Sequence, residues 1–170
     1  MNLIQHLDYL FNPRSVAVIG ASNIPGKWGC DILNLLLTGG ERKVYPINKN
    51  RAEVLGVKAY PSLAEVPGPV DFAVITVASE TLPDAMEDCI RKGVKTALII
   101  SGGFAETGEV GGKAEHKVLE IARRGGVRFI GPNCAVTDKD GMFAVSSLCD
   151  GLGLDAISLG GVLGWTMESY

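Results

Sequence analysis

An α/β fold with a mostly parallel, doubly wound sheet and helices on both faces is what this sequence predicts, and three observations carry that prediction. Short apolar, β-branched runs at 16–20, 44–47, 71–77, 96–100 and 127–130 alternate with stretches of helical periodicity. That alternation means parallel strands covered on both faces. The first run ends in Gly20, and Ala21-Ser22-Asn23-Ile24-Pro25-Gly26 follows before a helical pattern begins, a strand–loop–helix opening. The chain also holds 22 glycines, most of them at the ends of apolar runs, where they keep loops narrow.

In chain order, residues 3–14 read as a short amphipathic helix with Leu3, Leu7 and Leu10 on one side, ending before Pro13 and packing beside the first strand. Helix 27–38 draws its apolar content from Ile32, Leu33, Leu35, Leu36 and Leu37, and Gly39-Gly40 stops it. Pro46 places strand 44–47 near a sheet edge or ends it early, because proline cannot donate to a ladder. Residues 57–60 read as a short extended piece, and Ser62 with Glu65 has the spacing of a capping box for a brief helix. Strand 71–77 is strongly apolar. Leu82, Ala85, Met86, Cys89 and Ile90 then form an amphipathic helix with Pro83 in its first turn. Strand 96–100 precedes a helix at 111–124 that buries Ala114, Val118, Leu119, Ile121 and Ala122. Strand 127–130 leads into Gly131-Pro132-Asn133-Cys134.

A length of 170 residues, 46% hydrophobic and 21% charged, suits one compact domain with part of a second. The net charge of −3 argues against a nucleic-acid binder, which carries a basic excess. No apolar run approaches the ~20 residues of a membrane span, and Met1 to Asp8 lacks the basic and apolar regions of a signal peptide. Cys30, Cys89, Cys134 and Cys149 form no C-x-x-C pair and read as scattered thiols of a cytoplasmic protein. Clusters with metal-ligand spacing are absent from the sequence.

Right-handed crossovers put the C-terminal ends of parallel strands on one edge, and ligands bind in the crevice beyond them. The loops at 20–26, 47–51, 77–81, 101–105 and 131–134 should therefore converge. In the first, loop N–H groups and the positive end of the helix can face an anion, typically a phosphate. The spacing departs from the dinucleotide fingerprint: Ser22 stands at the second glycine position, and the next glycines are Gly26 and Gly29. A tight structural turn is the plainer reading of the same residues. The second loop, Asn48-Lys49-Asn50-Arg51, has two cations where an NAD site has a carboxylate. It suits a ribose phosphate, as in NADP or coenzyme A (CoA), unless both cations are ordinary solvated charges.

Small residues in Ala78-Ser79-Glu80-Thr81 would let a ligand lie against the strand end, with Ser79 or Thr81 capping the following helix. In Ser101-Gly102-Gly103-Phe104-Ala105-Glu106, the two glycines make either an N–H nest for a polar group or a structural turn. His6 and His116 fall on helices and away from strand ends. Glu80 and Glu106 are lone carboxylates that define no reaction. The sequence therefore names a binding domain and no catalytic residue.

Three landmarks together resemble the CoA-binding domain of nucleoside-diphosphate-forming acyl-CoA synthetases, which include ADP-forming acetyl-CoA synthetase and, more distantly, the succinyl-CoA synthetase α subunit. They are Gly20-Ala21-Ser22-x-x-Pro25-Gly26-Lys27-x-Gly29, Ser101-Gly102-Gly103-Phe104 and Gly131-Pro132-Asn133-Cys134. Leu10-Phe11-Asn12-Pro13-Arg14-Ser15 and the strand to Gly20 are similar too, so the resemblance covers roughly residues 7–145. It implies a Rossmann-like CoA-binding domain over 1–145. Gly20 and Gly26 flank the segment Ser22, Asn23, Ile24 and Pro25, which would hold the CoA phosphates. Lys49 would lie near the phosphate end of the nucleotide, Val77, Ala78 and Ser79 would line the site, and Ser101, Gly102, Gly103 and Phe104 would touch the pantetheine arm.

The family's reaction couples an acyl-CoA thioester and phosphate to free acid, CoA and a nucleoside triphosphate, through a phosphohistidine in a second α/β domain and an ATP-grasp part beyond it. Ala135-Val136-Thr137 replaces a usual Leu-Gly after Cys134, and Asp155 to Gly164 resemble the strand and S-x-S-G turn that open that second domain, with Gly160 in place of the second serine. By this resemblance residues 146–170 are a truncated start of that domain or a tail. The phosphohistidine and ATP-grasp parts are missing from this sequence. The resemblance thus implies a CoA-binding part of an ADP-forming ligase whose catalytic parts are other domains or a partner subunit, with self-association allowed. A stand-alone Rossmann-like regulatory protein that binds CoA or NADP is the other reading.

Overall fold

The structure is a computed structural model and describes residues 8–40, 42–101 and 108–130. The chain divides into two compact units, Met1–Arg128 and Phe129–Tyr170. The described elements belong to the first, save a short last strand that straddles the boundary.

The strands are β1 (Ser15–Ile19), β2 (Lys43–Ile47), β3 (Glu53–Val54), β4 (Val57–Lys58), β5 (Phe72–Ile75), β6 (Thr96–Ile99) and β7 (Arg128–Ile130). The helices are α1 (Trp28–Thr38), α2 (Leu82–Lys92) and α3 (Glu109–Gly125). The main sheet has the order β2-β1-β5-β6-β7, and β2, β1, β5 and β6 pair in parallel. The predicted α/β class is what the chain adopts. β1 lies between two neighbours and all five of its residues are buried, which is why it reads as an uninterrupted apolar run. Pro46 sits on β2 at the end of the sheet order, opposite Val18, as a residue without an N–H should.

The chain steps outward from β1 to β2, then returns past β1 to β5 and moves on to β6. Right-handed crossovers accordingly put α1 and α2 on opposite faces. The reversal falls between β1 and β5, and Ile19 aligns with Ile47 on one side and Ile75 on the other. The three strands therefore end level, and the loops beyond them start from a common edge.

Helix α1 rests on the sheet through Gly29, Cys30 and Leu33. Leu33 meets Val18, Ala21, Val54 and Ala59 in one cluster, and burying a leucine stabilises by about 1.5–3 kcal/mol. Leu35 and Leu37, part of the helix's apolar content, face solvent. A helix lying on one sheet face buries a stripe at i, i+3 and i+4, and these two leucines fall off it. Leu10 packs against Val16, Phe72 and Val74 beside β1, in agreement with the expected helix, whose residues 3–7 lie outside the described residues.

Helices α2 and α3 end alike. After α2, Gly93 at φ +75° donates its N–H to the Ile90 carbonyl at 3.0 Å, and Val94 donates to that of Cys89 at 3.0 Å. After α3, Gly126 at φ +65° donates to Arg123 at 3.3 Å, and Val127 to Ala122 at 3.1 Å. Both pairs are Schellman closures, with a left-handed glycine and a buried valine that satisfy the last carbonyls. The two helices cross where Gly125 leaves room for Ile90: a Cβ there would lie 2.3 Å from that side chain. Buried Cys89 has its thiol pushed up to about 12 by burial and by Asp88, so it stays protonated and inert at neutral pH.

Several local expectations are corrected. β5 stops at Ile75, so Val77 lies past the strand end. The brief helix after Ser62 is a 3-10 turn, Leu63–Glu65, without a capping box: the Ser62 side chain makes no cap, and the Glu65 N–H takes the Ser62 carbonyl at 3.3 Å. The β3–β4 hairpin was not anticipated. Its two-residue turn, Leu55 at φ +51° and Gly56 at φ +76°, has the positive dihedrals of a tight hairpin turn. Leu55 tolerates the left-handed backbone while packing on the Leu33 cluster.

Candidate functional site

The site is built at the ends of β1, β2 and β5. The Ile19 carbonyl accepts both the main-chain N–H of Thr76 at 2.9 Å and its hydroxyl at 3.0 Å. Gly20 follows at φ +92°, and a Cβ on it would fall 2.7 Å from Thr76 Oγ1. A Cβ on Gly29 would fall 2.1 Å from the Gly20 carbonyl oxygen. Two glycines nine positions apart thus let the start of α1 lie directly on the strand end, the packing role of a glycine in dinucleotide-binding loops.

Between them the loop is held by its own polar groups. Gly20 and Ala21 both donate N–H to the Ile47 carbonyl at 3.2 Å. Ser22 Oγ accepts the Ile24 N–H at 3.1 Å, and the Lys27 N–H reaches the Ile24 carbonyl at 3.2 Å. Gly26, at φ +80°, donates its N–H to Asp31 Oδ1 at 3.2 Å. Lys27, the residue before α1, is extended and supplies no side-chain cap. Among the described residues, the N–H groups of Asn23, Trp28 and Gly29 have no acceptor. Residues 23–28 are exposed, so this helix end presents donors and the positive end of a dipole to solvent.

Asparagine side chains join the neighbouring loops to this one. Asn48 Nδ2 donates to the Ala21 carbonyl at 2.8 Å, while its Oδ1 accepts the Asn50 N–H at 2.8 Å. Asn23 Oδ1 accepts the Leu55 N–H at 2.7 Å, which ties the loop to the tip of the hairpin. Lys49 and Arg51 are exposed, and neither forms an ion pair among the described residues.

On the other side of Gly20, Val77 is half-buried and Ala78 exposed. Ser79–Thr81 is a 3-10 turn leading into α2, and neither hydroxyl caps the helix: Thr81 Oγ1 donates to the Ala78 carbonyl at 3.0 Å instead. Ser101 is buried and its hydroxyl donates to the Val77 carbonyl at 2.5 Å. The loops after β1, β2, β5 and β6 are therefore linked in one row by Asn48–Ala21, Gly20–Thr76 and Ser101–Val77. Gly102, Gly103, Phe104, Glu106, His6 and residues 131–134 lie outside the described residues. His116 is exposed on α3 and Glu80 is exposed beside the row.

Reading the sequence alone placed Gly29 and Asn48 in the motif and the loops of the site but gave neither a role, and it missed Thr76. The nine-residue spacing from Gly20 and a turn-forming asparagine directly after the β2 run were the available signals. Among the described residues no group of three metal-ligating side chains occurs, and no helix is long and apolar enough to cross a membrane.

A mostly parallel sheet whose first strand, loop and helix meet at its reversal point defines a Rossmann-like α/β domain. The family profile described as a CoA binding domain matches residues 14–140, and the chain belongs to that family. It is 50% identical over 128 residues to the α subunit of the ADP-forming acetate–CoA ligase II of Pyrococcus furiosus, a match covering 75% of this chain and 28% of the relative. A crystal structure of a Pyrococcus horikoshii protein matches at 47% identity with a TM-score of 0.72, over 75% of this chain and 29% of that one. The apo form of an acetyl-CoA synthetase from Candidatus Korarchaeum cryptofilum matches at 44% identity and a TM-score of 0.69, over 75% and 28% of the two chains. This chain thus corresponds to under a third of the length of these relatives.

Proposed function

We propose that this chain binds CoA, as the CoA-binding part of an ADP-forming acyl-CoA synthetase. The observation that carries the reading is the open N-terminus of α1, whose donors at Asn23, Trp28 and Gly29 have no acceptor among the described residues, tied through Asn48 to a loop whose two cations form no ion pair among those residues. The pyrophosphate would rest on Ser22, Asn23, Ile24, Pro25 and Gly26 at the helix end, where donors and dipole favour negative charge. Lys49 would meet the ribose 3′-phosphate as a point charge. Gly20 allows close approach. Val77, Ala78 and Ser79 would line the crevice toward Ser101, with Gly102, Gly103 and Phe104 along the pantetheine arm.

In this reading the chain supplies affinity and orientation. Phosphoryl transfer belongs to a second α/β domain and an ATP-grasp part, provided by the same polypeptide or by a partner subunit in the cytoplasm. In the same reading, residues 1–145 are the CoA-binding domain and 146–170 a truncated start of the next one or a tail. His116 stands on a solvent face of α3, beyond hydrogen-bond reach of a reacting group at the strand ends.

Calorimetry with CoA, dephospho-CoA, NADP and NAD tests the reading. CoA should bind tightest, dephospho-CoA more weakly, and NAD weakest. Preference for NADP over CoA would instead identify a regulatory nucleotide sensor.

A further inference from the structure

We infer that Asn48 is a positioning residue that makes the site selective for a ligand carrying a phosphate on its ribose, by fixing where the Lys49 turn stands relative to the phosphate loop. The inference rests on the proposed CoA reading. Its basis is that one side chain uses both ends of its amide: Nδ2 donates to the Ala21 carbonyl at 2.8 Å, and Oδ1 accepts the Asn50 N–H at 2.8 Å. The second bond closes a turn around Lys49, and the first locks that turn to the loop after β1. An asparagine is long enough to do both, whereas a serine could close the turn but is too short to reach across.

The two loops differ in what else holds them. The phosphate loop keeps two N–H bonds to the Ile47 carbonyl and the Asn23–Leu55 bond whatever happens at Asn48. Beyond Asn48, the turn at Lys49 and Asn50 is exposed. Its other anchors lie on either side of it: the Asn48 N–H takes the Tyr60 carbonyl at 2.9 Å, and the Ala52 carbonyl accepts the Ala59 N–H at 2.8 Å, and neither bond reaches the loop after β1. Removing the amide should therefore leave the pyrophosphate cradle in place and release the lysine. Lysine carries three donors on a flexible stem and has no preorganised fork, so its selectivity depends on where its backbone starts.

The test compares CoA with dephospho-CoA for the wild type, Asn48→Ser and Asn48→Ala, with thermal melts to verify folding. Both substitutions are neutral, so neither adds a charge near the ligand. The CoA/dephospho-CoA affinity ratio should fall about fivefold or more in both variants, while dephospho-CoA affinity stays within about twofold of wild type. An unchanged ratio in variants of a selective wild type overturns the role of Asn48 alone. Equal losses for both ligands overturn it too, since Asn48 would then be a scaffold for the whole site. A wild type that binds both ligands alike overturns the Lys49 assignment and Asn48 with it.

Discussion

Helix α1 is finished differently from helices α2 and α3 at its C-terminal end. α2 has a proline and Asp84 in its first turn, Arg91 and Lys92 in its last, and a Schellman closure at Gly93. α3 has Glu109 at its start, Arg123 and Arg124 near its end, and the same closure at Gly126. Each of these devices satisfies an orphan group or complements the dipole. α1 likewise has an acid, Asp31, in its first turn, but no basic residue in its last turn and a terminal Gly39 that is not left-handed. Two helices are closed at their C-terminal ends by their own sequence. None of the three has a side-chain cap at its start; what sets α1 apart is that its start stands at the sheet's reversal point, with the N–H groups of Asn23, Trp28 and Gly29 lacking an acceptor among the described residues.

The contrast between the helices breaks most severely at Gly29. Gly29→Ala puts a Cβ 2.1 Å from the Gly20 carbonyl, and neither backbone can yield without moving α1 off the sheet. We expect a loss of about 3 kcal/mol, at the upper end for overpacking, read from urea unfolding. An unshifted midpoint would show that α1 slides freely and that its start is not fixed on β1.

Lys49→Ala should weaken CoA roughly 10- to 100-fold, as loss of a charge-assisted hydrogen bond of about 1.5–3 kcal/mol implies, and leave dephospho-CoA nearly unaffected. Equal losses for both ligands would remove Lys49 from the phosphate.

Gly26 and Gly93 sharpen the contrast, because their backbones are alike: φ is +80° and +75°, and nothing lies within 4 Å of a Cβ on either. Alanine at each should cost about 1–2 kcal/mol for a left-handed non-glycine residue. Only Gly26→Ala should also weaken CoA, by about tenfold, since Gly26 alone stands at the open helix end. If calorimetry shows the same CoA affinity for both variants, the phosphates sit elsewhere. The smallest effect is expected of His116→Ala, which should change neither CoA affinity nor stability measurably, and phosphate label found on this histidine would make the chain catalytic in its own right.

The succession of strands and helices, the edge position of Pro46 and the buried face of α2 were legible because each follows from an apolar period or a missing donor. What the sequence hid was short or relational. The β3–β4 hairpin has two residues per strand, too few for alternation to register. Ser62–Glu65 and Ser79 or Thr81 matched capping patterns, yet their hydroxyls make no cap, because spacing permits a cap without compelling a rotamer. At the site, the residue types of the first two loops were readable. That Gly29 lies on Gly20, or that Asn48 grips Ala21, depends on the parallel alignment of β1 with β2 and on the seating of α1, which no local window contains.

The Ile47 carbonyl, which receives the N–H groups of both Gly20 and Ala21, has a consequence for motion. An edge strand is ordinarily the first part of a sheet to fray. Here the last residue of β2 also anchors the loop, so opening of β2 and loosening of the loop are one event. Amide hydrogens of Gly20 and Ala21 should then exchange with solvent at the pace of Lys43–Ile47, and a ligand seated on the loop should slow exchange along the whole edge.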